Sequence, residues 1–299
     1  MVRRASVRAR LAAGSIGLVL VAAPAAAPVT STAAAETASW NHDPRSSMGP
    51  PHWGALNTAW RDCANAEGQS PIAITATHRE HLPALRVDYS RTPLVVENTG
   101  HVVEVPQPAN GGGTLRVGDH RFRLVQWHVH APSEHIIHGD RADLEIHLVH
   151  QDEQGQAAVL AVFADVVSSP APAPRTPAAD LLRTTLQAAP RTAGKETDTG
   201  QKASAAVLLA AAVGRLDQVR VIPRYLTYTG SLTTPPCTGG VRWFLLPRII
   251  GVDRASIQRL HALVASFPGY HGYPDNNRPV QPVGSRVVER RGAPSEYRK

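Results

Sequence analysis

The stretch RFRLVQWHVH, residues 121–130, decides how the rest of the chain is read. Hydrophobic and β-branched residues recur through it at every second position, as in a strand whose side chains point alternately to opposite faces. That alternation puts Phe122, Leu124, Gln126, His128 and His130 on one face and Val125, Trp127 and Val129 on the other. The stretch LEIHLVH, residues 144–150, places Glu145, His147 and Val149 together by the same rule. If the two strands pair antiparallel, His147 joins His128 and His130, while His150 looks away. Three neutral imidazoles on rigid strands match a His₃ zinc site that keeps a fourth position open. Each ring also needs its second nitrogen held by an oxygen, and Gln126 and Glu145 stand two residues before His128 and His147 on the same faces. Histidines on strands also occur as solvated or core residues, so spacing alone leaves both readings open. Motifs of other hydrolytic and nucleotide-binding classes, H-E-x-x-H, G-x-S-x-G and the Walker glycine loop, do not occur.

Outward from these strands the pattern stays mainly β. PLVVENTGHVVEV, AAVLAVFADV, YLTYTGSLTTPP and GVRWFLL all read as strands, the first with a bend at Asn98, Thr99 and Gly100. AADLLRTTLQ, SAAVLLAAAVGRL and DRASIQRLHALVASF read as helices, the second ending near Gly214 and the third starting near Asp253. Residues 36–60 are expected to be irregular and to lie over a core, and RTAGKETDTGQK, within a polar stretch at 190–203, to be a surface loop without an assignable role. The fold class is therefore mainly β (α+β): one domain with a large twisted, mostly antiparallel central sheet and peripheral short helices.

The first residues differ from the rest. MVRRASVRAR carries four arginines and no acid, an apolar run follows, and small residues precede a cut near Ala35. That is the layout of a secretory signal peptide, so the expected organisation is 1–35 signal peptide, 36–287 catalytic domain and 288–299 polar tail. The apolar run is short of the about 20 residues a membrane span needs, so no membrane anchor is expected in the mature form. The full chain has a formal charge of +7. Without residues 1–35 it has 27 basic against 24 acidic residues, or +3, which gives little support to a broad nucleic-acid-binding face. Export to a secreted, periplasmic or cell-envelope address also means an oxidising compartment. There the two cysteines, Cys63 and Cys237, are expected to form a disulfide.

Taken in order, QSPI, NTGH, QWHVH, SEH, LEIHLVH, AVLAVF, SLTTPPC, VRW and NNRPVQP resemble the α-class carbonic anhydrases from about His52 to Arg286. The resemblance implies zinc held by His128, His130 and His147, and a zinc-bound hydroxide that attacks carbon dioxide to give bicarbonate and a proton. It implies that Thr233 accepts the hydroxide's hydrogen bond while donating to Glu134, and that Thr234 contacts bicarbonate. Val149, Val159, Leu232, Val241 and Trp243 map to the carbon dioxide pocket, although they would serve equally as plain core. Gln126, Glu145, His135, Tyr228 and Asn276 map to the groups behind the ligands, with His135 and Tyr228 bracing Glu145 and Thr233. His101 maps to the proton shuttle, for which an imidazole of ordinary pKa about 6.5 is suited. Cys63 and Cys237 match a bridge found in exported members, and anions and sulfonamides are the implied inhibitors. Oligomeric state is not implied. Three departures bear on the shuttle: Ala55 where a Tyr is common, Thr99 for a common Asn, and Glu104 where an amide is usual, so the cavity mouth is expected to be more acidic. Two further readings stay open. A catalytically silent module on the same fold typically lacks one or more zinc histidines, and a zinc-scavenging protein would recruit His135, His138 and His150.

Overall fold

The computed structural model describes residues 39–167, 175–214 and 219–292. The expected signal peptide lies outside the described residues, as does the outer part of the expected tail. The strands are β1 (Ala73–Ile74), β2 (His78–Arg79), β3 (Leu85–Asp88), β4 (Thr92–Asn98), β5 (Val103–Pro106), β6 (Thr114–Val117), β7 (His120–His130) and β8 (Ile136–Ile137). They continue as β9 (Leu144–Gln151), β10 (Ala157–Val166), β11 (Lys195–Ala203), β12 (Val221–Ile222), β13 (Tyr225–Ser231), β14 (Gly239–Val252) and β15 (Glu289–Arg291). The α-helices are α1 (Trp53–Leu56), α2 (Pro177–Ala188), α3 (Ala206–Ala212) and α4 (Arg254–Val264).

Thirteen strands form one sheet, whose main path runs β11-β4-β5-β7-β9-β10-β14-β13-β15-β2. Its pairings are antiparallel except for β10 with β14 and β15 with β2. Both faces are covered, which is why β10 reads as an unbroken apolar run. Ala158, Leu160, Val162 and Ala164 point into the larger core beneath α2, α3 and α4, while Val159, Ala161 and Phe163 point into a second cluster with Leu226, Val241 and Trp243. The helices begin where their caps permit. Thr176 Oγ1 accepts from Ala179 N ahead of Pro177, and Asp253 accepts from Ser256 N.

Three expectations are corrected. The polar stretch read as a surface loop is, over 195–203, the edge strand β11, paired antiparallel with β4. Solvent covers both of its flanks for most of its length, so it has no apolar pattern to reveal it. Residues 289–291, placed in the tail, are β15, bonded between β13 and β2. In β7 the pairing with β9 shifts between Leu124 and Gln126, a bulge. The extra residue reverses the alternation, so Phe122 and Leu124 share the core with Trp127 and Val129 and do not lie on the histidine face. The segment expected to be irregular contains two 3-10 turns and α1, and buries Trp40, Trp53 and Trp60 against Cys63 and Cys237. Those cysteines are bonded to each other across 174 residues of sequence. A closure of that length restricts the unfolded chain by roughly 5 kcal/mol in the loop-entropy description.

Candidate metal centre

After the bulge, β7 presents Gln126, His128 and His130, and β9 answers in antiparallel register with His147 directly opposite His128. The ring centroids lie 4.9 Å (His128–His130), 5.1 Å (His128–His147) and 4.7 Å (His130–His147) apart. One nitrogen from each ring falls within 4.8 Å of the others.

Hydrogen bonds decide which nitrogen that is. His128 Nδ1 meets Gln126 Oε1 at 2.8 Å, His130 Nδ1 meets the Asn276 carbonyl at 2.7 Å, and His147 Nε2 meets Glu145 Oε1 at 2.7 Å. Each acceptor is an oxygen with no proton to give, so the ring nitrogens donate. Nε2 of His128 and His130 and Nδ1 of His147 keep their lone pairs. His130 Nε2 is buried with no hydrogen-bond partner. Burial also holds the pKa of His128 well below the ordinary value and lowers that of His130, which keeps the rings neutral. Three converging neutral nitrogens, one buried and unpaired, fit a divalent zinc ion.

Behind the ligands a polar network is fully committed. Glu145 Oε1 also accepts from His135 Nδ1 at 2.7 Å, and Oε2 accepts the Glu134 and His135 amides at 2.8 Å each. Burial pushes the Glu145 carboxyl up, but His135 and His147 outweigh it and hold the pKa well below the carboxylate range. With Nδ1 donating, His135 Nε2 accepts from the Tyr228 hydroxyl at 2.6 Å, and Tyr228 OH lies 2.8 Å from Ser70 Oγ. Tyr228 thus braces His135 and Ser70; the expected brace on Thr233 is replaced by this contact with Ser70, whose Oγ accepts the Ser231 amide. Asn276 holds β7 from the side: its Oδ1 accepts from Ala131 N and its amide donates to Val129 O.

Glu134 Oε1 accepts from the Arg278 amide at 2.8 Å, whereas Oε2 is buried without a hydrogen-bond partner, 3.8 Å from both His130 Nε2 and His147 Nε2. The implied bond from Thr233 is therefore not made in this structure, and Glu134 Oε2 is left unpaired. Thr233 and Thr234 sit in the turn after β13, which is closed by Cys237 N donating to Thr234 O. Val149, Val159, Leu232, Val241 and Trp243 belong to one apolar cluster. Trp243 reaches the metal centre edge-on, 4.9 Å from both His147 and His135.

The surroundings of His101 differ from expectation. Its ring stacks on Trp40 at 3.7 Å and 8°, and its Nδ1 lies 3.4 Å from the Tyr270 hydroxyl. Burial pulls its pKa down to about 4. Tyr270 is 2.6 Å from His42 Nδ1, and burial likewise lowers His42. Ala55 is exposed on α1, whereas Trp40, His42 and Tyr270 are buried and pack around His101. Thr99 closes the bend with its hydroxyl, accepting from His101 N and Val102 N. Glu104 stands opposite His128 on one side and Glu97 on the other, and burial, aided by Glu97, raises its carboxyl to about 7. Burial thus disfavours its charged form and works against the added acidity expected of it. His150 bonds Tyr89 and Ala158 O across the sheet from the site, and His138 sits at φ 53° in a turn. They form no common centre with His135, and among the described residues every metal-capable cluster contains His147.

Sequence reasoning missed Ser70, Arg278, His42, Tyr270 and Trp40. Two of them lie inside stretches already quoted, Ser70 in QSPI and Arg278 in NNRPVQP; the buried guanidinium of Arg278 donates to Gln69 Oε1 and to the Ser70 and Cys63 carbonyls.

A family profile for the eukaryotic-type carbonic anhydrases matches residues 48–292. A carbonic anhydrase of Neisseria gonorrhoeae is 36% identical over 239 residues, 80% of this chain and 83% of the relative. One of Klebsiella pneumoniae is 33% identical over 253 residues, covering 83% and 89%. Among solved structures, the α-carbonic anhydrase of Thermovibrio ammonificans in complex with the inhibitor sulfanilamide superimposes with a TM-score of 0.70 at 31% identity, covering 84% of this chain and 99% of the other.

Proposed function

The chain belongs to the eukaryotic-type, or α, carbonic anhydrase family, and from that premise we propose that it is a zinc enzyme interconverting carbon dioxide and bicarbonate at His128, His130 and His147. When bound, zinc supplies the acidity that makes water a nucleophile near neutral pH. The residues of the chain supply position. Gln126, Asn276 and Glu145 each accept a hydrogen bond from one ring N–H, fixing the tautomer and the direction of the remaining lone pair. Glu134 Oε2 is the buried acceptor for the Thr233 hydroxyl; once that bond forms, the Thr233 oxygen can only accept a hydrogen bond from the reacting water, which orients it. Thr234 contacts bicarbonate. Carbon dioxide carries no charge or net dipole, so the apolar wall of Val149, Val159, Leu232, Val241 and Trp243 receives it without competing for the metal.

His101 carries the departing proton from a position swung away from Trp40, because in the stacked position burial disfavours its charged form. Anions and sulfonamides inhibit by occupying the open metal position. The same reading includes export through residues 1–35, supported by the Cys63–Cys237 disulfide.

The observation that carries this reading is the hydrogen-bond pattern that leaves one lone pair per histidine aimed at a common point. Metal analysis of purified protein should give one zinc per chain, and stopped-flow hydration should be lost with the zinc in His147→Ala. Undiminished hydration by the metal-free variant would refute it.

A further inference from the structure

The part of β7 that precedes the bulge carries a charge pattern the metal centre does not use. β3, β6 and β7 lie side by side and antiparallel, with Arg86 opposite Arg116 and Arg116 opposite Arg121. Adjacent strands are about 4.8 Å apart, so these three residues form a row about 10 Å long. Arg123 lies two residues beyond Arg121, on the same face, opposite Thr114. All four arginines are exposed, and among the described residues none pairs with a carboxylate. Asp88 shares the face, but its ion pair is with Arg220 at 3.6 Å.

Like charges directly opposite one another weaken a sheet, so folding does not account for this arrangement. All four residues are also arginine, whose planar fork matches phosphate with two parallel hydrogen bonds, where lysine offers a point charge. The attraction is local, because the chain beyond residue 35 carries only +3. We infer that this arginine ladder is a binding surface for a linear phosphate polymer. A lipid surface suits it less well, since the large apolar residue beside the row, Val221 opposite Arg86, is only 38% exposed and leaves little to insert. Arg123 precedes His128 by five residues, about 16 Å along the strand, so a bound polymer lies beside the metal centre and not across it.

Fluorescence anisotropy with labelled inorganic polyphosphate tests this on the mature chain at about 0.15 M salt. Saturable binding is expected, and Arg116→Glu/Arg121→Glu should weaken it at least about tenfold. Three or four neutralised phosphates give a log–log salt slope of about −2 to −3. Arg254→Glu/Arg259→Glu on α4 changes net charge equally and should bind as the parent does. Carbon dioxide hydration and thermal melting, unchanged in both variants, show that they fold; Arg86→Gln/Arg121→Gln replaces the first should it not. A single-stranded oligonucleotide arm distinguishes the phosphate source: ladder-dependent binding of either polymer supports the surface. Equal weakening in ladder and control variants, no saturable binding of either polymer, or ladder-dependent binding of anionic phosphatidylglycerol vesicles in preference to both would overturn it.

Discussion

At the scale of single residues, the centre works by committing its buried carboxylate oxygens to fixed partners. Glu134 splits its carboxylate: one oxygen is spent on the Arg278 amide, the other is left buried for Thr233. Thr233→Ala should therefore keep zinc and lose turnover on the order of 10²-fold, the scale of removing one positioned hydrogen-bond partner; stopped-flow rates with metal analysis read both. His101 presents the opposite case, an imidazole whose burial, in part beneath Trp40, opposes its own protonation. Trp40→Ala should raise its pKa from about 4 toward 6.5, as seen by NMR titration. His101→Ala should slow turnover in weak buffer and be rescued by added imidazole. The three-histidine cluster was legible because side chains two apart on a strand share a face. The orienting oxygens of Gln126 and Glu145 followed from the same period. Tyr270, His42 and Trp40 were not legible, since they reach the site from distant segments through tertiary packing.

At the scale of elements, one residue of β7 separates the apolar half of the strand from the metal-binding half. Deleting Val125 removes the bulge and forces either Phe122 and Leu124 or Gln126, His128 and His130 onto the wrong face. We expect no zinc-loaded, soluble protein from that variant, checked by expression and metal content. A parity change is present in the sequence, with apolar residues at 122 and 124 and then at 127 and 129, but Val125 hides the switch by being apolar itself. β11 and β15 escaped detection for a different reason: both are held by backbone pairing, β11 mostly exposed and β15 only half-buried, so neither needs the apolar period that sequence reading depends on. The helices, by contrast, announce their starts at Thr176–Pro177 and Asp253 through capping chemistry.

At the scale of the whole molecule, a number of buried imidazoles make the zinc-free fold sensitive to acid. His101 and His150 both have pKa values lowered to about 4, whereas in the unfolded chain they titrate near 6.5. Between those values the unfolded chain binds more protons, so stability is complete above pH 6.5 and is lost as pH falls toward 4, on the order of 3 kcal/mol for each ring. Glu104, raised to about 7, acts in the opposite sense between 4.5 and 7 but is a single group. Urea midpoints of zinc-free protein should therefore drop between pH 7 and pH 4.5; a flat profile would contradict the burial of these rings.

The seam at the far end of the sheet sets a limit on when this fold can be completed. β2, near residue 78, reaches the sheet through β15, near residue 290, and β15 in turn rests on β13. A chain emerging from a ribosome or a translocation pore must hold β2 unpaired until the residues near 290 are free. Closure of this margin thus waits on residues near 290, and any stop codon that spares the metal centre but removes β15 leaves an open sheet margin for other chains to bind.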